Sequence, residues 1–290
     1  MSKVDVAINV FGKPYQTAIS LLSLLKYSKQ HINRIFFTEE TKQSHEDDGA
    51  KALDFLPKDL IVYYKPKYYL SFQYLDMDKL NTDAEYRQSI RYQYAWEHSD
   101  KDYLFLMHND CLFTNDIIGN MLPMIQSDKC AGVGTVGQCW NCPACHAGLC
   151  DGTKYKSFNP TYEEAIEIVR NFPGRRTKEE YIDKEHPMPF TECRLNEFAA
   201  LIHLGRTRHL VIPHGNSLLF GCYGIDIGSQ WFKSMILLGF NFTNYPDLSF
   251  HGPFTAHNGG YALDHDKQRY LEAESQAKTY LEQHYDGVVR

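Results

Sequence analysis

A short polar segment, residues 108–110, follows the apolar run Tyr103–Met107. A run of this length between turn-forming residues predicts a buried strand. In open α/β sheets, ligands bind at the carboxyl ends of strands, and a carboxylate there can hold a divalent cation against a phosphate. Asp110 is therefore a candidate metal ligand, with His251 or His257 as a nitrogen ligand. A plain turn is the alternative, since Asn and Asp favour turns.

Thiols crowd a second segment of the chain, at Cys139, Cys142, Cys145 and Cys150. Their Cys-x-x-Cys spacing is typical of ligands to one tetrahedral ion, which predicts a structural Zn²⁺. The run also has the spacing of iron–sulfur ligands, although no proline follows its last cysteine. Disulfides are disfavoured because no secretory signal opens the chain. A loop of reduced thiols without metal is the alternative, and neither alternative makes the cysteines catalytic.

The order of apolar segments predicts the elements that position these residues. Strand patterns at Val4–Val10, 32–37 and 60–64 alternate with helical patterns. One helix follows the breaker at residues 12–14, and a later helix has an apolar face that consists of Tyr86, Ile90 and Tyr94. This alternation predicts an α/β protein with a mostly parallel central sheet flanked by helices.

At this point the sequence resembles a known family. The first strand with its turn at residues 12–14, the helix with Arg91 and the strand ending at Asp110 resemble the nucleotide-sugar half of GT-A fold glycosyltransferases, in the family-2-like group. In that family the strand ends in Asp-x-Asp, whereas this chain has His108 at the first acid. The resemblance resumes at residues 221–251 and covers roughly three-quarters of the chain by pattern.

The resemblance implies a role for each matching residue. Asp110, with His251, would hold Mn²⁺ or Mg²⁺, and a hard cation there would stabilise a diphosphate leaving group. Asp226 stands where inverting members carry the general base that takes the proton of the acceptor hydroxyl. The residues expected to contact the nucleotide or its metal are Glu39, Arg91, His108 and Asp110.

Several of these residues also have purely structural interpretations. Asp226 lies where a helix should begin, and Asp is a favourable N-cap residue. Glu39 and its neighbour Glu40 precede a polar loop, where solvated carboxylates are common. Arg91 would be an exposed helical arginine among other charged residues.

The stretch 191–198, ahead of the apolar run 199–204, carries Glu192, Arg194 and Glu197 and is predicted to be helical. One face of this helix could point into a cleft, but a solvated amphipathic helix held by internal ion pairs is the more common outcome. Arg176, in a small basic cluster farther upstream, is predicted to be plain solvated surface.

Length and composition limit the remaining possibilities. The 290 residues are 43% hydrophobic, and no linker pattern divides them, so one globular unit is expected. Within it we expect a nucleotide-sugar-binding part (1–137), a Cys-rich acceptor-side insertion (138–208) and a catalytic, metal-completing part (209–290). Residues 264–284 read as an amphipathic helix that packs on the body or on a second subunit.

The formal net charge of −6 disfavours nucleic acid as a partner. The sequence has neither a signal peptide nor a spanning segment, which predicts a cytoplasmic protein, with peripheral membrane contact if its acceptor is lipid-linked.

The predicted function is therefore metal-dependent transfer of a sugar from a nucleotide-sugar donor to a hydroxyl acceptor, with inversion, in glycan or polysaccharide biosynthesis. Two other functions remain open. A sugar nucleotidyltransferase would use a similar sheet, but it normally needs a Gly-rich basic loop after the first strand, and residues 12–14 are a poor version of that loop. A non-enzymatic zinc or thiol module would use the sheet only as a scaffold.

Overall fold

The strands of the protein form one continuous sheet. The computed structural model describes residues 3–70, 75–222, 226–254 and 265–285. The strands are β1 (Val4–Val10), β2 (Ile32–Glu39), β3 (Ile61–Tyr64), β4 (Tyr103–Met107), β5 (Cys130–Val136), β6 (Leu195–His203) and β7 (Asn241–Asn244). Within the described residues they pair in the order β3-β2-β1-β4-β6-β5-β7.

The sheet is mostly parallel, with one reversed strand. β1 pairs in parallel with β2 and β4, β2 with β3, and β5 with β7. β6 is antiparallel to both of its neighbours, β4 and β5. The α/β class and the mostly parallel sheet expected from the sequence are thus confirmed.

Both faces of the sheet are covered by apolar side chains. Along β4, Leu104 and Leu106 belong to one core, whereas Phe105 and Met107 belong to the core on the opposite face. All four side chains are fully buried. Burial on both faces explains why β4 is a continuous apolar run rather than an alternating one.

The helices flank this sheet. They are α1 (Pro14–Ser28), α2 (Met77–Thr82), α3 (Ala84–Gln88), α4 (Gln93–His98), α5 (Ile117–Met124), α6 (Pro143–His146), α7 (Tyr162–Asn171), α8 (Leu204–Thr207), α9 (Ser229–Leu237) and α10 (Lys267–His284). In the part of the chain that the structure describes, none of the helices has the length and apolarity needed to cross a bilayer.

The predicted helix with Arg91 is broken in the structure. α3 ends at Gln88 and α4 begins at Gln93, so Arg91 lies in the turn between them. Tyr92 has a φ of 66°, which no α-helix allows. Its backbone N–H donates to the side-chain oxygen of Asn9, 2.9 Å away, and this bond holds the turn against β1. The prediction of one continuous helix is wrong because this tertiary contact outweighs the apolar periodicity.

The stretch predicted to be helical over residues 191–198 instead leads into strand β6, which begins at Leu195. Helix propensity is a weak signal that tertiary context overrides. As a central strand, β6 satisfies its backbone hydrogen bonds on both edges. Glu192, Arg194 and Glu197 are at most 4% exposed. The prediction of a solvated charged face is therefore wrong.

α10 packs on α1 and holds the turn that precedes it. The hydroxyl of Tyr270 accepts a hydrogen bond from the backbone N–H of Lys13, 2.6 Å away. Glu274 accepts from the backbone N–H of Tyr15 at 2.9 Å and from the side chain of Gln16 at 2.9 Å. Burial raises the pKa of Glu274 to about 7. The last helix thereby fixes the β1–α1 turn.

Candidate active site

Two chain segments bring His108, Asp110 and His251 together at the carboxyl end of β4. The backbone N–H of Leu112 donates to the carbonyl of Phe250 at 2.7 Å, and that of Gly252 donates to the carbonyl of Asp110 at 2.9 Å. These bonds hold the segment after β7 against the end of β4. The predicted pairing of Asp110 with His251 is therefore present in the structure. His257, the other predicted nitrogen ligand, lies outside the described residues.

The two oxygens of Asp110 have different surroundings. Oδ2 lies 3.1 Å from Nζ of Lys13. Oδ1 is buried without a hydrogen-bond partner and lies 3.6 Å from Nε2 of His251 and 3.7 Å from Nδ1 of His108. Among the described residues these three form the one group whose ligand atoms lie within 4.8 Å of one another. A carboxylate oxygen and two imidazole nitrogens form a donor set that fits a divalent transition-metal ion.

The protonation states at this cluster suit metal binding. Burial alone would raise the pKa of Asp110, but Lys13, His251 and His108 together lower it well below its ordinary value. Burial lowers the pKa of His251 despite the nearby Asp110 carboxylate. At neutral pH the carboxylate is thus an anion and the His251 ring is neutral, which are the forms that bind a cation.

Glu197 stands behind His108. Its Oε1 lies 3.3 Å from Nε2 of His108, the nitrogen that points away from Asp110. Its Oε2 lies 2.7 Å from Nη1 of Arg194. A carboxylate on the outer nitrogen of a metal-binding histidine orients the ring and fixes its tautomer. This contact is not predictable from the sequence, because the charged stretch 191–198 has the pattern of a helix.

Asp226 is buried between two guanidinium groups. Its Oδ2 lies 2.7 Å from Nε of Arg176 and 3.1 Å from Nη2 of Arg194. Burial raises the pKa of Asp226 above its ordinary value, because the lowering by the two arginines does not fully offset it. Gly228, not Asp226, is the N-cap of α9, and no side chain caps that helix. The capping interpretation of Asp226 is thus wrong, as is that of Arg176 as plain surface.

The acids at the end of β2 are buried rather than solvated. Glu39 accepts hydrogen bonds from the Tyr63 hydroxyl and from Nζ of Lys65, which is 2.9 Å away. Glu40 lies 3.3 Å from Nε of Arg91, in a small cleft lined by both residues. Arg91 is therefore paired with Glu40 and partly buried, not exposed on a helix. The acid that contacts Arg91 is the neighbour of the one we expected at the nucleotide.

The cysteine segment folds around a small cavity. Cys139, Cys142, Cys145 and Cys150 all line it, and they are joined by Cys193 from the segment before β6. All eight cysteines of the chain are free thiols. Among the described residues no three cysteine sulfurs lie within 4.8 Å of one another, so the four predicted ligands are not arranged as a tight tetrahedron.

No protein-family model matches the sequence, and no curated protein matches it. The fold, in contrast, is similar to that of solved glycosyltransferases. A mannosyltransferase from Pyrobaculum calidifontis, solved with GDP-Man and Mn²⁺, superposes with a TM-score of 0.53 at 10% identity. The alignment covers 96% of this chain and 64% of that one, so this chain spans less than two-thirds of its length.

Two further solved structures align less well. Glucosyl-3-phosphoglycerate synthase from Mycobacterium tuberculosis has a TM-score of 0.44 at 11% identity, over 84% of this chain and 68% of that one. Mouse xyloside xylosyltransferase 1 has a TM-score of 0.42 at 13% identity, over 84% and 85%. The likeness to the mannosyltransferase confirms the GT-A fold that the sequence resemblance implied.

Proposed function

We propose that this protein is a metal-dependent glycosyltransferase that moves a sugar from a nucleotide-sugar donor to a hydroxyl acceptor. One observation carries the proposal. At the carboxyl end of β4 in a GT-A sheet, the unpartnered Oδ1 of buried Asp110 faces two imidazole nitrogens. Unsatisfied buried oxygens are costly, and a cation at this point would satisfy this one.

A transition-metal dication suits this donor set better than Mg²⁺ does. Mg²⁺ prefers oxygen ligands in an octahedron, whereas transition-metal dications also accept imidazole nitrogens. The mannosyltransferase with the same fold was solved with Mn²⁺. We therefore infer that Mn²⁺ is the metal held by His108, Asp110 and His251. When bound, it would stabilise negative charge on the departing diphosphate.

The remaining residues have complementary roles in this proposal. Lys13 keeps Asp110 ionised, and Glu197 orients His108. Arg91, paired with Glu40 in the cleft, would bind the nucleotide. Asp226 would accept the proton of the acceptor hydroxyl as the sugar is transferred with inversion. Arg194 contacts both Asp226 and Glu197, which supports a location of the base on the same side of the sheet as the metal cluster.

A thermal-shift experiment tests the proposal. UDP, GDP and CDP are added with Mn²⁺ or Mg²⁺ to the wild type, to Asp110→Asn and to the control Asp116→Asn. Asp116 also pairs with a histidine, His31 at 3.0 Å, but lies outside the cluster. Ligands that bind only the folded state raise the melting temperature. We expect a metal-dependent shift with one nucleotide, lost in Asp110→Asn and retained in Asp116→Asn.

Two results would contradict the proposal. One is the absence of any metal-dependent shift in folded wild-type protein, and the other is an equal shift in Asp110→Asn. Products then separate the transferase from a sugar nucleotidyltransferase. The transferase releases a nucleoside diphosphate from a nucleotide sugar, whereas the nucleotidyltransferase releases pyrophosphate from a triphosphate.

A further inference from the structure

Five thiols surround one small cavity, which we call the thiol cavity. Its sulfur-bearing walls are Cys139, Cys142, Cys145, Cys150 and Cys193. Its free space is roughly that of one water molecule. This space suits a single ion and is too small for an iron–sulfur cluster. Cys193 comes from a distant segment, so the cavity is not formed by the cysteine loop alone.

Backbone amides point at the sulfurs of the thiol cavity. The amides of Ala144 and Cys145 hydrogen-bond to the sulfur of Cys142, and that of Gly152 bonds to Cys139. Burial nevertheless raises the pKa of Cys142 to about 12 and that of Cys139 to about 11. Amide donors stabilise thiolates, and a bound dication deprotonates the thiols that coordinate it. The amides are therefore placed to support metal-bound thiolates.

We propose that the thiol cavity binds one Zn²⁺ through Cys139, Cys142, Cys150 and Cys193. Zinc prefers four thiolates in a tetrahedron, with sulfurs about 3.8 Å apart for Zn–S bonds of about 2.3 Å. In the structure the sulfurs are farther apart than in such a tetrahedron, since no three described cysteines have sulfurs within 4.8 Å of one another. The loop must therefore draw inward by at least about 1 Å.

The choice of four ligands follows from how the sulfurs face one another. Cys193 is buried, and the thiols that act on it most strongly are those of Cys150, Cys142 and Cys139. Cys142, Cys150 and Cys193 are each at most 8% exposed. Cys139 and Cys145 are both only partly buried, so burial does not separate them. Cys145 is left out because it is not among the thiols that act most strongly on Cys193, and it serves as an internal control on the same loop.

The thiol cavity is connected to the arginines at Asp226. Glu192, next to Cys193, accepts hydrogen bonds from the backbone N–H of Arg176 at 2.7 Å and from that of Thr177 at 3.0 Å. The guanidinium of Arg176 lies 2.7 Å from Asp226. Zinc would thus brace the segment that positions Arg176. This consequence for the base rests on the proposed function, whereas the metal site itself does not.

Zinc stoichiometry tests the proposal. The parent protein for this test carries His251→Ala, so that the histidine cluster cannot hold zinc. Cys193→Ser, Cys145→Ser and Cys222→Ser are each added to this parent. Cys222 is buried but lies outside the thiol cavity. We expect one zinc per chain by mass spectrometry, unchanged in Cys145→Ser and Cys222→Ser. In a chelator competition, Cys193→Ser should bind zinc at least tenfold more weakly.

A labelling experiment keeps the proposal testable if Cys193→Ser does not fold. Alkylation of the parent protein is mapped by mass spectrometry with and without a chelator. We expect zinc to protect Cys139, Cys142, Cys150 and Cys193, and chelation to expose them. Absence of zinc, full zinc affinity in Cys193→Ser, or protection of a different set would overturn the proposal. Because none of these measurements uses turnover or nucleotide binding, their failure leaves the Asp110 proposal intact.

Discussion

Asp110 and Asp226 are both almost fully buried, at 3% and 4% exposed, yet their surroundings have opposite effects. Asp110 faces the ammonium of Lys13 and two imidazoles, which lower its pKa in spite of burial. Asp226 lies between two guanidiniums, and its pKa is nevertheless raised. The nearby Glu197 carboxylate contributes to the rise at Asp226.

This difference fits the two tasks that the proposed function assigns to Asp110 and Asp226. A carboxylate with a lowered pKa stays ionised, as a metal ligand must. A carboxylate with a raised pKa takes up a proton more readily, as a general base must. Glu197 lies between the two, because it contacts His108 on one side and Arg194 on the other. The charges of the two regions are thus arranged as one connected network.

The largest expected effect is on turnover, in a variant that removes the proposed base and leaves the metal cluster unchanged. Asp226→Asn should reduce turnover about 10²- to 10⁴-fold, since it removes the general base. Mn²⁺ and nucleotide binding should be unchanged. Wild-type turnover should fall as the pH drops through the pKa of Asp226, because protonation inactivates the base, and this acidic limb should be missing in the variant. Steady-state kinetics between about pH 4 and about pH 9 would measure both effects.

Asp183→Asn is the matched control for Asp226→Asn. Asp183 also pairs with a cation, Lys233 at 3.3 Å, but it is more exposed. If Asp226→Asn turns over as fast as the wild type, the Asp226 carboxylate has a structural role only. A parallel loss of metal binding would instead place Asp226 and Asp110 in a single site.

The second prediction concerns the Lys13 ammonium, which pairs with Asp110 and has no counterpart at Asp226. Lys13→Met leaves a buried carboxylate without its ammonium partner, which should lower the free energy of unfolding by about 3–5 kcal/mol at pH 7. The lowered pKa of Asp110 stabilises the fold above its ordinary pKa, and that stabilisation is lost as the pH falls. The effect of Lys13→Met should therefore shrink in acid. Urea unfolding at neutral and acidic pH measures it.

Lys67→Met is the control for Lys13→Met. Lys67 and its partner Glu85, 2.7 Å away, are both more than half exposed. A surface pair of this kind contributes little to stability, because solvent screens its charges. Equal losses of stability in the two variants would mean that the Lys13–Asp110 pair is no stronger than a surface pair.

The smallest expected effect concerns the carboxylate between the two regions. Glu197→Gln should weaken Mn²⁺ binding about 10- to 100-fold, because a carboxylate behind a metal-binding histidine orients it. Calorimetric titration with Mn²⁺ measures the change. Glu97→Gln is the control, since Glu97 also pairs with an arginine, Arg87 at 2.6 Å, away from the cluster. Unchanged affinity in Glu197→Gln would show that His108 is oriented by other contacts.

Apolar strand runs made the sheet predictable from the sequence. β1 and β4 were located within a residue or two, because strands buried on both faces must be continuously apolar. The position of Asp110 at the carboxyl end of β4 was predicted from the apolar run that precedes it. The pairing with His251 followed from the order of segments in the resembling family.

The residues that the sequence did not reveal depend on tertiary contacts. The role of Glu197 was missed because its charged stretch has the pattern of a helix, whereas pairing on both edges makes it part of strand β6. Arg176 and Arg194 contact Asp226 from segments far apart in the chain, and no local sequence pattern predicts such contacts. The sequence places Lys13 only in a turn, and its ion pair with Asp110 depends on where β4 lies in the sheet.

The contact between α10 and the β1–α1 turn has a consequence for biosynthesis. Lys13 and Tyr270 are separated by 257 positions, yet the Tyr270 hydroxyl holds the backbone of the residue that neutralises Asp110. A ribosome adds 257 residues after Lys13 to reach this partner. During translation, the turn that carries Lys13 must therefore wait for the last described helix before it can be locked in place.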